Sequence, residues 1–157
     1  GRFAADVPLP AYLPAQPGRV VAYALSPRDG GPTHLASVDV QLNSDAAPPV
    51  SAPSLDQREM IVIVEPAPGA RLQGQVRVLV QTVLVTNLVV EVRGANNETL
   101  GRQTRTLENV AGRPASLVVD VPFSAGQAGP GRVVVYALHP RDGQTLHLSS
   151  VEVNLQP

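Results

Sequence analysis

The stretch PGRVVVYALHPRDG at Pro130–Gly143 repeats an earlier stretch, PGRVVAYALSPRDG, at Pro17–Gly30. The match continues without a gap, and 18 of the 26 residues in 17–42 are identical to those in 130–155. Two segments this similar are expected to share one local fold. A long run of further strand-like sequence precedes the second copy. We therefore expect one complete unit at 59–157, preceded at 1–43 by the last part of a second unit.

Short Val-rich runs separated by Pro and Gly predict strands throughout the complete unit. The chain has 16 Pro and 13 Gly among its 157 residues, and no stretch keeps the 3.6-residue apolar spacing of a helix. Seven strands are predicted, at 60–64, 76–83, 88–93, 100–107, 117–123, 132–138 and 146–155. Seven short strands with turns between them are typical of a β-sandwich, so the fold class is all-β.

The apolar pattern also predicts where some strands lie in the sandwich. Arg132–Leu138 is the most continuously apolar run and is expected at the centre of a sheet. Leu100–Leu107 is polar and is expected at an edge. Leu148 and Val151 are out of phase for a strand with one buried face, which predicts a β-bulge near Ser149 and Ser150.

The first copy contains counterparts of only the last three strands, an incomplete sandwich with an apolar face that needs a cover. Burial of that face against another molecule would supply the rest of a core. We therefore predict that the apolar side chains of 1–43 form an assembly interface. Its expected members are Phe3, Val7, Leu9, Val21, Tyr23, Leu25, Val38, Val40 and Leu42.

A segment rich in Pro, Ala and Ser, 44–58, lies between the two copies. This composition favours an extended linker over packed structure. The linker is expected to hold the two units apart or to let one move relative to the other.

Composition and charge exclude several classes of partner. The formal net charge is −1, which gives no electrostatic support for binding nucleic acid. The chain has no Cys, so it has no disulfide and no thiolate metal site. No apolar run has the length of a membrane span. Two Phe, three Tyr and no Trp argue against an aromatic platform for sugars, and a small-molecule ligand is not expected.

Candidate sites for chemistry have simpler structural interpretations. Asp29-Gly30 and Asp142-Gly143 could begin a cation-binding loop, but Asp-Gly between two strands is typical of a hairpin turn in which Gly supplies a positive φ. The three His residues lack metal-ligand spacing and are expected on strand surfaces. No strained nucleophile turn is present. We predict no catalytic residue, no metal site and no cofactor.

A family resemblance is carried by turn and core residues. The segment IVIVEPAPGA at 61–70, the turn VRGANNETL at 92–100 and the hairpin VYALHPRDG at 135–143 together resemble the immunoglobulin-like domain of bacterial spore-germination proteins. The resemblance covers 59–155, and 3–42 for the end of a second copy. It implies an exported or envelope-associated, seven-stranded module with no catalytic residues.

The sequence thus predicts a non-enzymatic structural subunit of a bacterial extracellular or cell-surface assembly. Its incomplete N-terminal unit would be completed by strands or a sheet of a neighbouring subunit, and copies of the same chain could in this way form a filament. The alternative is an envelope-associated module that binds cell-wall glycan or a protein partner.

Overall fold

A computed structural model describes residues 4–9, 15–42, 60–83, 85, 87–107 and 114–157. Their regular structure is entirely β, as the sequence predicts. The ten strands are β1 (Gln16–Leu25), β2 (Pro32–Leu42), β3 (Met60–Glu65), β4 (Arg71–Gln73), β5 (Gln75–Val83), β6 (Asn87–Arg93), β7 (Thr99–Thr106), β8 (Ala115–Pro122), β9 (Gly129–Leu138) and β10 (Thr145–Gln156).

The second copy is a sandwich of two layers. One layer has β5 between β3 and β8, with antiparallel pairing on both sides. In the other layer β10, β9, β6 and β7 pair in that order, all antiparallel, and β4 joins the end of β10 in parallel. Alternate Val and Leu side chains from both layers meet in one buried core. Burial of this apolar core is the main stabilising contribution to such a fold.

The seven strands predicted for the second copy are all present, with ends that differ by a few residues. β9 lies between β10 and β6, and among the described strands β7 pairs with β6 alone, so the central and edge positions are confirmed. The sequence does not predict β4, because its three residues are too few to show an alternating pattern.

The predicted bulge near Ser149 and Ser150 is wrong. The β9–β10 register runs without a shift from His147 to Leu155, and its irregularity lies between Thr145 and His147. Leu148 is out of phase with Val151 because the two side chains lie on opposite faces of a regular strand. Leu148 belongs to a second apolar cluster on the outer face of the sheet.

The first copy contributes the hairpin β1–β2, which we call the N-terminal hairpin; β9–β10 is the C-terminal hairpin. A third strand was expected near residues 3–9, but the described residues Ala4–Leu9 form none. β2 pairs antiparallel with β10 through Leu35 and its two neighbours. The two hairpins are therefore in direct contact, and β1–β2 extends the β10–β9–β6–β7 layer. The predicted linker, 44–58, lies outside the described residues.

Candidate interaction surface

The turns of the two hairpins have the same hydrogen-bonded geometry. Gly30 has φ 68° and Gly143 has φ 69°, the left-handed conformation that Gly adopts without strain. The Asp29 carboxylate accepts a hydrogen bond from the Gly31 N–H at 3.0 Å, and the Asp142 carboxylate accepts one from Gln144 N–H at 3.0 Å. The turn interpretation of both Asp-Gly pairs is confirmed.

Each hairpin places an Arg from its first strand against the turn of the other hairpin. Arg19 Nη2 of β1 lies 3.2 Å from Asp142 Oδ2 in the C-terminal turn. Arg132 Nη2 of β9 lies 2.7 Å from Asp29 Oδ1 in the N-terminal turn. Arg19 and Arg132 are equivalent residues of the sequence repeat, and so are Asp29 and Asp142. The contact between the two hairpins is therefore reciprocal.

Each of these Arg residues also binds the acidic residue opposite it on its own hairpin. Arg19 Nε donates to Asp39 Oδ1 at 2.8 Å, and Arg132 Nη2 donates to Glu152 Oε1 at 3.3 Å. Asp39 and Glu152 are also equivalent in the repeat. Each Arg therefore links the base of one hairpin to the turn of the other.

The two acidic residues receive a second pair of equivalent contacts from the opposite turns. Arg141 Nη2 lies 3.5 Å from Asp39 Oδ2, and Arg28 Nε lies 3.7 Å from Glu152 Oε1. The first residue of the turn differs between the copies. Ser26 Oγ donates to Glu152 at 2.7 Å. At the equivalent place, His139 Nε2 lies 3.2 Å from Asp39. The exchange of Ser for His keeps a polar group at the same point in the contact.

The charged groups of this junction have shifted pKa values. The Gly31 N–H and the Arg132 guanidinium hold the pKa of Asp29 at about 2. The hydrogen bond from Arg19 lowers the pKa of Asp39, and the Gln144 N–H, together with Arg19, lowers that of Asp142. All three carboxylates are stabilised in their charged form, which is the form that holds the two turns in place.

The face of the C-terminal hairpin that points away from the main core is also buried. Val134 and Tyr136 of β9 pack with Val89 of β6 and Leu148 of β10, and Leu35 of β2 contacts this cluster. The Tyr136 hydroxyl donates to Glu91 Oε1 at 2.9 Å. Burial, together with this hydrogen bond, raises the pKa of Tyr136. β9 is thus apolar on both faces, which explains its uninterrupted apolar sequence.

The equivalent residues of the N-terminal hairpin are exposed. Val20, Val21 and Tyr23 are 49%, 44% and 63% exposed. Their counterparts in β9 (Val133, Val134 and Tyr136) are 0%, 2% and 8% exposed. β9 is paired with β6 along one edge, whereas the corresponding edge of β1 pairs with no strand among the described residues. The same sequence is therefore covered in one copy and uncovered in the other.

The predicted interface residues do not lie on one face. Cross-strand partners share a face, so the register places Val38 and Val40 with Val20 and Gly18, whereas Val21 and Tyr23 lie with Ser37 and Leu35 on the opposite side. The sequence predicts one apolar face for the first copy, as in a strand with a single buried side. The register instead places apolar residues on both faces of the hairpin. Their role as an interface stays a prediction.

The remaining members of that set are distributed as follows. Leu25 is exposed and Leu42, at the end of β2, is half-buried. Val7 and Leu9 are exposed and lie outside the strands. Phe3 lies outside the described residues.

Other candidate sites add little. Within the described ranges, no group of three or more His, Asp or Glu side chains has the geometry of a metal site. The same ranges contain no helix of sufficient length and hydropathy to cross a membrane. Comparison with protein-family models gives no match for this chain, and comparison with curated proteins gives no significant match.

Proposed function

We propose that the chain is a non-enzymatic structural subunit of a bacterial extracellular or cell-surface assembly, in which the N-terminal hairpin is completed by strands of a neighbouring subunit. The observation that carries the proposal is the difference in burial between the two copies. Val20, Val21 and Tyr23 lie exposed on a hairpin whose equivalent is fully packed.

An exposed strand edge flanked by apolar side chains favours the addition of a strand from another molecule. Strand addition supplies main-chain hydrogen bonds, and the side chains on both faces supply apolar burial. β1 offers both: its outer edge, and Val20 on one face with Tyr23 on the other. A contact of this kind between different surfaces of two subunits propagates into a filament where its rotation does not close into a ring.

The reciprocal junction gives the exposed hairpin a fixed position. Arg19 and Arg132 each link one hairpin base to the opposite turn, at 3.2 and 2.7 Å. A hairpin held at two points presents its edge in a defined orientation, which lowers the entropy cost of binding a partner. This supports a structural role in an ordered assembly.

The test is sedimentation velocity of the full chain over a range of concentrations, with Val20→Lys and Val38→Lys as interface variants. Val118→Lys is the matched control, because Val118 is equally exposed but lies on β8, which pairs with β5 in the other layer. We expect concentration-dependent association of the unmodified chain and of the control, and loss of association in both interface variants. A chain that stays monomeric at every concentration, or a control that behaves like the interface variants, would contradict the proposal.

A further inference from the structure

We propose that the outer edge of β1 accepts an antiparallel, apolar strand with the chemistry of β6 (Asn87–Arg93), with an acidic residue placed to bind the Tyr23 hydroxyl. The partner is another subunit of the assembly that offers such a strand unpaired, because β6 of this chain is already paired with β9 and β7. The inference rests on the proposed function and specifies the partner strand. It follows from what the second copy of the same hairpin binds.

The partner of β9 is known from the structure. β6 pairs antiparallel with β9, with Val90 opposite Val135 and Val92 opposite Val133. β1 repeats the β9 sequence with one difference between Val20 and Leu25, where Ala22 replaces Val135. A strand that matches β9 in pattern and backbone geometry is expected to accept the same kind of partner in the same register.

The side chains of β1 specify the partner on both faces. On one face, Val20 and Ala22 would contact apolar residues that correspond to Val92 and Val90. On the other face, the Tyr23 hydroxyl would donate to a carboxylate that corresponds to Glu91, as Tyr136 does at 2.9 Å. The alternation of apolar residues with one acidic residue therefore defines the partner strand.

The edge strand β7 (Thr99–Thr106) is a poorer partner, although it belongs to the same sheet. Its sequence, TLGRQTRT, has one large apolar residue, two Arg and no acidic residue to accept the Tyr23 hydroxyl. Polar and cationic edge strands disfavour edge-to-edge pairing. A peptide with the β7 sequence is therefore a matched negative control.

The register can be tested by disulfide exchange, because the chain has no Cys of its own. The full chain carries Ala22→Cys, and a synthetic β6 peptide of sequence NLVVEVR carries Cys at the position of Val90, activated as a mixed disulfide with thionitrobenzoate. Attack by the thiolate introduced into β1 forms the interchain disulfide and releases thionitrobenzoate, which is measured by its absorbance. No further oxidant is required.

The controls vary the register, the peptide and the site. One peptide carries Cys at the position of Val89, which directs the thiol to the opposite face. A second has the β7 sequence, and a chain with Val118→Cys reports non-specific reaction at an exposed Val. We expect the in-register pair to react at least about tenfold faster than each control, a preference of about 1.4 kcal/mol. Replacing the glutamate of the peptide by Gln, or Tyr23→Phe in the chain, should slow the reaction.

Equal rates for all peptides, or for the Ala22→Cys and Val118→Cys chains, would overturn the inference. The sedimentation experiment decides the proposed function separately. Association of the chain without register-specific exchange would leave the function standing and refute the β6-type partner. Register-specific exchange by a chain that stays monomeric would establish the partner strand and refute assembly from copies of this chain.

Discussion

Leu35 of β2 pairs with Leu148 of β10, and the two leucines are equivalent residues of the sequence repeat. His147 lies opposite Ala36, and its equivalent, His34, lies opposite Ser149. A local two-fold axis therefore passes between the two leucines and relates the N-terminal hairpin to the C-terminal one. Such a contact between like surfaces is the rule in symmetric dimers, and here it occurs within one chain.

Of the residues in the junction, Arg132 is expected to contribute most to the free energy of unfolding. Its side chain is 5% exposed, and it binds Asp29, Glu152 and the Pro32 carbonyl oxygen. Arg132→Ala leaves these acceptors without their donor, and we expect a loss of about 2 kcal/mol in the free energy of unfolding. Urea denaturation followed by circular dichroism measures this loss.

Arg77→Ala is the control for this experiment. Arg77 of β5 is exposed and binds Asp120 of β8 at 3.1 Å, in the layer opposite the one that β1–β2 extends. The stability of this variant should equal that of the unmodified chain, because exposed ion pairs contribute little. Equal losses for Arg77→Ala and Arg132→Ala would show that the junction has no special role.

The junction is expected to weaken in acid. The folded pKa of Asp29 is about 2, below the ordinary value of about 3.9 in an unfolded chain. A carboxylate with a lowered pKa stabilises the folded state fully above its unfolded value, and this contribution is lost as the pH falls through the folded value. Detachment of the N-terminal hairpin should therefore occur between about pH 4 and pH 2.

Amide hydrogen exchange measured by NMR follows this change. The amides of the turn Ser26–Gly31 should lose protection below pH 4, while those of β5 and β9 stay protected. Asp29→Asn should reduce the pH dependence, since the amide does not titrate. Loss of protection at the same pH in the turn and in β5 would indicate global unfolding and contradict a local release.

The sequence revealed the strands but not the faces they present. Alternation was sufficient in β5, where Val76, Val78 and Val80 are buried. In β6 the alternation indicates one inner set, but Val89 and Glu91 on the other face are buried as well. β9 is apolar on both faces, so its sequence alone does not say which residues point toward the main core. The burial of Tyr136 depends on Leu148 and Val89, and these contacts arise only after the strands have paired.

The contact between the two hairpins could not be predicted from the sequence either. The repeat identified Arg19 with Arg132 and Asp29 with Asp142, but a repeat of residues does not show that the two copies contact each other. For Asp29 and Asp142 the sequence predicts a hairpin turn, which needs no contact with a second hairpin. The signal that was available is the coincidence of a basic residue at each hairpin base and an acidic residue in each turn, spaced equally in both copies.

Tyr136 provides a test of the outer cluster. Its hydroxyl donates to Glu91, which is nearly buried and also binds Arg93 at 2.6 Å. Tyr136→Phe should lower the free energy of unfolding by about 1–2 kcal/mol, because Glu91 loses a donor. Tyr23→Phe is the matched control and should leave the stability unchanged, since Tyr23 is 63% exposed. Equal effects of the two substitutions would contradict the assignment of Tyr136 to a packed cluster.

Alkaline pH should have a related effect. The pKa of Tyr136 is raised by burial and by the hydrogen bond to Glu91. A group with a raised folded pKa contributes stability that is present below its unfolded value and is lost as the pH rises through the folded value. The stability of the unmodified chain should therefore fall above about pH 10, and that of Tyr136→Phe should fall less. Denaturant titrations at pH 8 and pH 11 measure the difference.

Gly131 and Gly18 are equivalent residues that should respond differently to Ala. A methyl group on Gly131 would meet the Leu155 side chain and, at 2.8 Å, the backbone oxygen of Arg93 in β6. The three atoms nearest to the same group on Gly18 all belong to the Leu42 side chain, the first at 2.6 Å. Leu42 can change rotamer, whereas the Arg93 carbonyl is fixed by the sheet.

We therefore expect Gly131→Ala to cost about 1–3 kcal/mol in the free energy of unfolding. Gly18→Ala should have a clearly smaller effect, because β1 has no described strand beside its outer edge in the position that β6 takes beside β9. Urea denaturation of the two variants gives the comparison. If Gly18→Ala is as destabilising as Gly131→Ala in the isolated chain, a strand already occupies the edge of β1, and the vacant edge on which partner binding depends does not exist.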